Sequence, residues 1–140
     1  MGIRVVVAED DAAVRAATVD LLAADGRFEV VDAVATADEA VAAARAGRPD
    51  AVVLDLRRPG GGLTAARAIQ ADGSGAAVVV ASARVDPTRL TELLRAGVRG
   101  VVLKGKDAAQ LPDVLARCAA GEVLLLLPSA ADAVQRAALR

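Results

Sequence analysis

The regular alternation of short β-branched runs with alanine-rich segments of helical length is the feature that most constrains this fold. The five runs are IRVVVA (3–8), FEVVDAVA (28–35), AVVLD (51–55), AAVVVAS (76–82) and GVVLK (100–104). Strands that alternate with helices in this way form a parallel sheet covered by helices on both faces. Because such crossovers are right-handed, we expect an α/β fold of three layers, with a doubly wound parallel sheet in the order 2-1-3-4-5.

Start and stop signals of helices flank the segments between the strands. Thr36 and Glu39 form a T-x-x-E capping box at the start of one segment. Glycines stand where the periodic runs end, at Gly26, Gly47, Gly97 and Gly121. In the last segment, apolar residues recur with helical spacing and predict one buried face, formed by Leu111, Val114, Leu115 and Cys118. The cysteine is therefore interpreted as a core residue rather than a reactive thiol.

Composition excludes several classes of function. The chain has no histidine, which excludes histidine metal sites, catalysis by Ser–His or Cys–His pairs, and a role as phosphohistidine donor. A net charge of −1 and a single aromatic residue argue against direct binding of nucleic acid by this chain. One cysteine permits no internal disulfide, and neither a signal peptide nor a membrane-spanning run is present. We therefore expect a cytoplasmic protein with no membrane contact.

Polar side chains follow the predicted strands at the edge where ligands bind in such sheets. Strand 1 ends in Glu9, Asp10 and Asp11, strand 3 in Asp55, strand 4 in Ser82 and strand 5 in Lys104. Glu9, Asp10 and Asp55 bring three negative charges against the one positive charge of Lys104, so a cation is expected among them. Mg²⁺, or another divalent ion such as Mn²⁺, suits these oxygen ligands. Asp11 is interpreted as the cap of the first helix.

These residues predict a site that receives a phosphoryl group on Asp55. Carboxylates act as nucleophiles in such reactions. The metal ion and Lys104 would neutralise charge on the equatorial oxygens, and the Ser82 hydroxyl would donate a hydrogen bond. Pro59 and the glycines after it let the backbone approach the ion, and the carbonyl of Arg57 is placed to serve as a neutral ligand.

Over residues 3–121 the sequence resembles the receiver domain of two-component response regulators, whose fold is flavodoxin-like. The acidic pair, the aspartate, the proline four residues after it, the hydroxyl and the lysine stand at the matching strand ends. IRVVVAEDD and LRAGVRGVVLKGKD further resemble NarL/FixJ-type transcriptional regulators. The resemblance implies that a sensor histidine kinase phosphorylates Asp55, in a signalling domain rather than an enzyme. It also implies that Asp10, Asp55 and the Arg57 carbonyl ligate Mg²⁺, with Glu9 acting largely through water.

Two features depart from the family pattern. Val101 stands where receivers carry an aromatic residue that swings inward when the strand 4 hydroxyl, here Ser82, moves to the phosphoryl group. The loop PGGGL is one residue shorter than the family's P-G-x-D-G-L and lacks its acid. Arg57 and Arg84 flank the site, and we hypothesise that they lengthen the lifetime of the phosphoaspartate; the alternative is two solvated arginines.

Other functions remain open beside the phosphorylated receiver. A receiver that signals through protein contacts without phosphate is favoured by Val101 and the short loop, whereas the complete acidic pocket opposes it. A phosphatase resembling the haloacid dehalogenases would need a second aspartate where Arg57 stands. A nucleotide-binding Rossmann domain is disfavoured because strand 1 leads into acid rather than G-x-G-x-x-G.

We expect residues 1–121 to form the receiver domain and residues 122–140 a C-terminal tail or linker helix capped by Ser129. The tail is too short for a second domain, so DNA would be bound only through an effector domain outside this chain. The residues leave open whether a helix-turn-helix domain was removed or never existed. They also leave the oligomeric state open, although a regulated homodimer fits this interpretation.

Overall fold

A parallel sheet of six strands forms the centre of the computed structural model, which describes residues 2–55, 57, 61–83, 87–104 and 108–125. The strands are β1 (Ile3–Glu9), β2 (Phe28–Val34), β3 (Ala51–Asp55), β4 (Ala77–Ser82), β5 (Val98–Leu103) and β6 (Leu124–Leu125). Their order is β2-β1-β3-β4-β5-β6, and every neighbouring pair is parallel. The predicted order 2-1-3-4-5 is confirmed, and the structure adds a sixth strand at the edge.

Helices cover both faces of the sheet and enclose a separate apolar core on each. The helices are α1 (Ala12–Ala23), α2 (Ala37–Gly47), α3 (Gly61–Ala71), α4 (Pro87–Arg95) and α5 (Leu111–Ala119), with a 3₁₀ turn (Ala108–Gln110) before α5. One core packs α2, α3 and α4 against the sheet, and the other packs α1 and α5. Successive β1 residues alternate between the two cores, as the pleat of a strand requires. The predicted three-layer fold is confirmed.

The helix signals in the sequence are largely confirmed. The Thr36 hydroxyl accepts a hydrogen bond from the Glu39 N–H at 3.2 Å and donates one to the Glu39 carboxylate at 2.9 Å. The helix that this pair starts, α2, includes Gly47 as its last residue, so the left-handed cap falls on Arg48 with φ 44°. The predicted buried face of α5 is confirmed, and Cys118 is fully buried. None of the described helices is long and apolar enough to cross a bilayer.

Two residues of the predicted tail belong to the sheet. Leu124 pairs with Gly100, and Leu125 pairs with Val101. Leu124 packs against the core beneath α1 and α5, whereas Leu125 packs against the opposite core. The sheet therefore continues past residue 121, and the helix predicted after Ser129 lies outside the described residues.

Candidate functional site

Two buried carboxylates lie side by side at the carboxyl edge of the sheet. Glu9 ends β1 and Asp55 ends β3, and the two residues are direct partners in the parallel ladder. Glu9 is 1% exposed and Asp55 is 8% exposed. Both β-branched runs end at the same edge because parallel strands share one direction, and so the sequence brings two acids together that are 46 positions apart.

Lys104 lies between these two acids, immediately after the end of β5. Its Nζ is 2.7 Å from Asp55 Oδ1 and 3.5 Å from Glu9 Oε2. Its backbone N–H donates to the Ser82 carbonyl at 2.9 Å, which fixes the lysine against the end of β4. Burial lowers the pKa of Lys104, but its hydrogen bond to Asp55 and the charges of both acids outweigh burial and raise it. The ammonium is therefore held in the charged form.

Glu9 is the less satisfied of the two acids. Its Oε1 accepts the Asp11 N–H at 3.1 Å. Within the described part of the chain, its buried Oε2 accepts no hydrogen bond. Burial and the neighbouring Asp55 raise the pKa of Glu9 to about 7, although the Asp11 N–H and Lys104 act in the opposite direction. The site thus holds an acid that is costly to ionise unless a further cation joins it.

Asp10 and Asp11 continue from β1 toward the loop after β3. Asp10 Oδ2 accepts the backbone N–H of Arg57 at 2.9 Å, and Asp10 Oδ1 is 3.9 Å from Arg57 Nε. Asp11 Oδ1 accepts the N–H groups of Ala13 and Val14, as predicted for the cap of α1. Those backbone bonds, Val14 first, lower the pKa of Asp11, and the guanidinium of Arg57 adds to the effect. Arg57 therefore contacts both acids of the β1–α1 connection, Asp10 and Asp11.

Arg15 is a site residue that the sequence did not predict. Its Nη1 donates to the backbone carbonyl of Glu9 at 2.8 Å and so ties the start of α1 to the end of β1. The acceptor is a main-chain oxygen, which no pattern of side chains can reveal. The signal in the sequence that could have indicated Arg15 is its position four residues after Asp11, because that spacing places both residues on the same face of the helix.

Residues 5–116 match the family model described as the response regulator receiver domain. The chain belongs to this family. The chain is 29% identical to the nitrate/nitrite response regulator protein homolog of Haemophilus influenzae, over 88% of this chain and 60% of that protein. It is 30% identical to the DNA-binding transcriptional activator DevR/DosR of Mycobacterium tuberculosis, over 88% of this chain and 57% of that protein.

A solved structure gives the same assignment. The signal receiver domain of the response regulator NarL from Mycobacterium tuberculosis superposes with a TM-score of 0.81 at 29% identity, covering 86% of this chain and 98% of that one. The predicted resemblance to NarL/FixJ-type receivers is confirmed. The chain spans about 60% of the length of the curated relatives named above. Receivers are typically signalling domains rather than enzymes, they generally use Mg²⁺, and they imply a histidine kinase partner.

The predicted switch positions of the receiver lie on β4 and β5. Ser82 ends β4 and is half-buried beside the Lys104 backbone. Val101 is fully buried in the core beneath α2, α3 and α4, with Leu125 of β6 paired opposite it. Valine thus fills inward space at the position where the family carries a ring. Arg84 and Pro59 lie outside the described residues, whereas the last two glycines of PGGGL begin α3.

The residues at this edge of the sheet include the types of oxygen ligand that Mg²⁺ binds. The described residues contain no group of three or more acidic, histidine or cysteine side chains placed to hold a metal ion. Mg²⁺ ordinarily takes only one or two carboxylates and completes its shell with water and phosphate oxygens. The carboxylates of Asp10 and Asp55 and the carbonyl of Arg57 are oxygens of the kind that Mg²⁺ binds. The Oε2 of Glu9 is a buried polar atom without a hydrogen-bond partner among the described residues. The receiver residues therefore fit the ion that the family uses.

A cavity of about 490 Å³ opens beside Asp55. It lies between α1, β5 and α5, and both Asp55 and Lys104 contribute to its wall. Its other lining residues are mainly apolar, among them Ala13, Ala17 and Leu111. The Asp55 side chain is 12% exposed and forms part of the wall of this opening.

Proposed function

We propose that this receiver domain is a phosphorylation switch in which Asp55 accepts a phosphoryl group from the phosphohistidine of a sensor histidine kinase. The observation that carries the proposal is the buried Asp55 carboxylate, held 2.7 Å from the Lys104 ammonium at the carboxyl edge of the sheet. A nucleophile and a fixed positive charge at one opening are what in-line phosphoryl transfer needs. The histidine must come from a partner, because this chain has none.

In the proposed reaction, a carboxylate oxygen of Asp55 forms a bond to phosphorus as the bond between phosphorus and the histidine nitrogen breaks. The Lys104 ammonium, which pairs with Asp55 before the reaction, then also stabilises negative charge on the transferred phosphoryl oxygens. The Ser82 hydroxyl donates a hydrogen bond to one of these oxygens. A bound Mg²⁺, held by Asp10, Asp55 and the Arg57 carbonyl with Glu9 acting through water, would neutralise the remaining charge.

The output of the switch follows from the new charge at the sheet edge. A phosphoaspartate carries nearly two negative charges where the Asp55 carboxylate carries one, so phosphorylation adds about one negative charge beside Lys104. Ser82 and the segment leading into α4 would move toward it, which changes the face made by α4, β5 and α5. DevR/DosR is a DNA-binding transcriptional activator, and its likeness over the receiver supports a transcriptional output through an effector domain. We place this protein in the cytoplasm, and a regulated homodimer is compatible with this function.

Intact-mass analysis after incubation with acetyl phosphate and Mg²⁺ tests the phosphoacceptor. Wild type is expected to gain the mass of one phosphoryl group, whereas Asp55→Asn gains none. Asp50→Asn is the matched control, since this exposed aspartate lies before β3 at the opposite edge of the sheet and should leave the adduct unchanged. An adduct of equal yield on Asp55→Asn would refute the assignment.

A receiver that works through protein contacts without phosphate is the second candidate, favoured by the inward-packed Val101. The same experiment separates the two functions. No adduct on folded wild type, with a circular dichroism spectrum typical of an α/β protein, would favour the phosphate-independent receiver.

A further inference from the structure

Arg57 supplies a positive charge to the acids of the β1–α1 connection from the loop after β3. Its Nη2 is 3.5 Å from Asp11 Oδ2, and its Nε is 3.9 Å from Asp10 Oδ1. The side chain is 66% exposed, so it occupies this position without being packed there. Its backbone N–H independently holds Asp10 Oδ2 at 2.9 Å. Both oxygens of Asp10 therefore face Arg57, one the amide and the other the guanidinium.

The other cations of the site have partners of their own. Lys104 pairs with Asp55 and Glu9, and Arg15 donates to the backbone carbonyl of Glu9. Among the described residues, Arg57 is the cation that lies beside Asp10. Asp10 and Asp55 are the two carboxylate ligands of the proposed metal site. A divalent ion approaching Asp10 consequently meets a positive charge that the chain has already placed beside that carboxylate.

We propose that the Arg57 guanidinium is an internal counter-ion of the acidic pocket, which competes with the divalent cation and sets the affinity of the site. This inference rests on the proposed function, because it requires the metal site at Asp10 and Asp55. The competition is electrostatic: the guanidinium neutralises part of the charge that would attract the ion, and it must move away from Asp10 when the ion binds. The Arg57 backbone contributes separately, since its N–H orients Asp10 and its carbonyl is a proposed ligand.

Arg57→Ala isolates the side chain, because alanine keeps the backbone N–H and carbonyl at this position. The affinity for Mg²⁺ is measured by isothermal titration calorimetry on the full chain at low ionic strength, without phosphodonor. We expect Arg57→Ala to bind Mg²⁺ about two- to fivefold more tightly than wild type, the range that single exposed ion pairs allow. Repeating the titration at about 0.5 M NaCl should shrink the difference, since salt screens exposed charges.

Two further variants serve as controls, one for net charge and one for the proposed metal ligand. Arg45→Ala removes the same charge from the last turn of α2, which lies at the opposite edge of the sheet because β3 begins just after it. It should leave the Mg²⁺ affinity at the wild-type value. Asp10→Asn removes a proposed ligand and should weaken binding. Circular dichroism of each variant confirms that it is folded.

The outcomes separate this inference from the proposed function. If Asp10→Asn weakens Mg²⁺ binding but Arg57→Ala leaves it unchanged or weakens it, the metal site stands and the counter-ion role is wrong. Equal tightening by Arg45→Ala and Arg57→Ala would reduce the effect to net charge and would also overturn it. If Asp10→Asn binds Mg²⁺ as wild type does, the metal site itself fails, and the competition fails with it.

Discussion

Replacing Glu9 by glutamine should remove a pH dependence that this buried carboxyl imposes on the stability of the metal-free domain. Glu9 is 1% exposed, lies beside Asp55 and Lys104, and accepts the Asp11 N–H. Burial and the neighbouring Asp55 raise its pKa from 4.5 to about 7. In the unfolded chain the pKa returns to its ordinary value. Between the two values, the folded protein therefore binds more protons than the unfolded chain does.

The sign and size of the effect follow from this difference. The contribution of Glu9 to stability is fully present below its unfolded pKa and is lost as the pH rises through about 7. The interval from 4.5 to about 7, at about 1.4 kcal/mol for each pH unit, corresponds to about 3 kcal/mol of unfolding free energy. Glutamine keeps the shape of the side chain and does not titrate. Glu9→Gln should therefore be more stable than wild type at about pH 8 by up to about 3 kcal/mol.

Urea unfolding followed by circular dichroism measures this free energy, because the chain has no tryptophan or tyrosine for fluorescence. Wild type, Glu9→Gln and the control Glu29→Gln, an exposed glutamate on β2, are compared in EDTA at about pH 5 and about pH 8. Wild type and the control should lose stability across this range, whereas Glu9→Gln should not. An equal loss in all three proteins would show that Glu9 is not the group responsible.

Two further changes test the packing and the lifetime of the phosphorylated form. Gly100→Ala should lower the unfolding free energy by about 1–3 kcal/mol, because its Cβ would lie 2.9 Å from Cys118 Sγ; an unchanged urea midpoint would show that α5 shifts at little cost. Arg84→Ala should speed the loss of phosphate from Asp55 if the arginine shields it from water, as measured by intact mass over time. An unchanged rate would assign Arg84 to solvated surface.

The strands and the acids at their ends could be predicted from the sequence because both depend on local patterns and one rule of topology. Each β-branched run is long enough to define a strand, and parallel strands must end at a common edge. Glu9, Asp55 and Lys104 therefore meet as expected. Whether Asp10 joins them around one ion depends on side-chain directions, which the strand pattern does not fix.

The features that the sequence did not predict are those decided by main-chain atoms or by very short elements. Arg15 reaches the site through a backbone acceptor, and the backbone N–H of Arg57, a residue predicted beside the site, donates to Asp10. Neither backbone atom carries a residue-specific signal. Strand β6 contains two leucines, which is too short for any period to appear. Arg48 takes the left-handed cap in place of Gly47 because α2 continues one residue further than the glycine rule indicates.

Strand β6 brings the chain after α5 back into the sheet, parallel to the strand that leads to Lys104. Leu125 is opposite Val101, and β6 runs parallel to β5 toward the edge of the sheet that carries Asp55. Lys104 is three residues beyond Val101, which at the rise of a strand is about 10 Å. Because β6 pairs directly with β5, any displacement of β5 would reach Leu124 and Leu125 through the sheet itself.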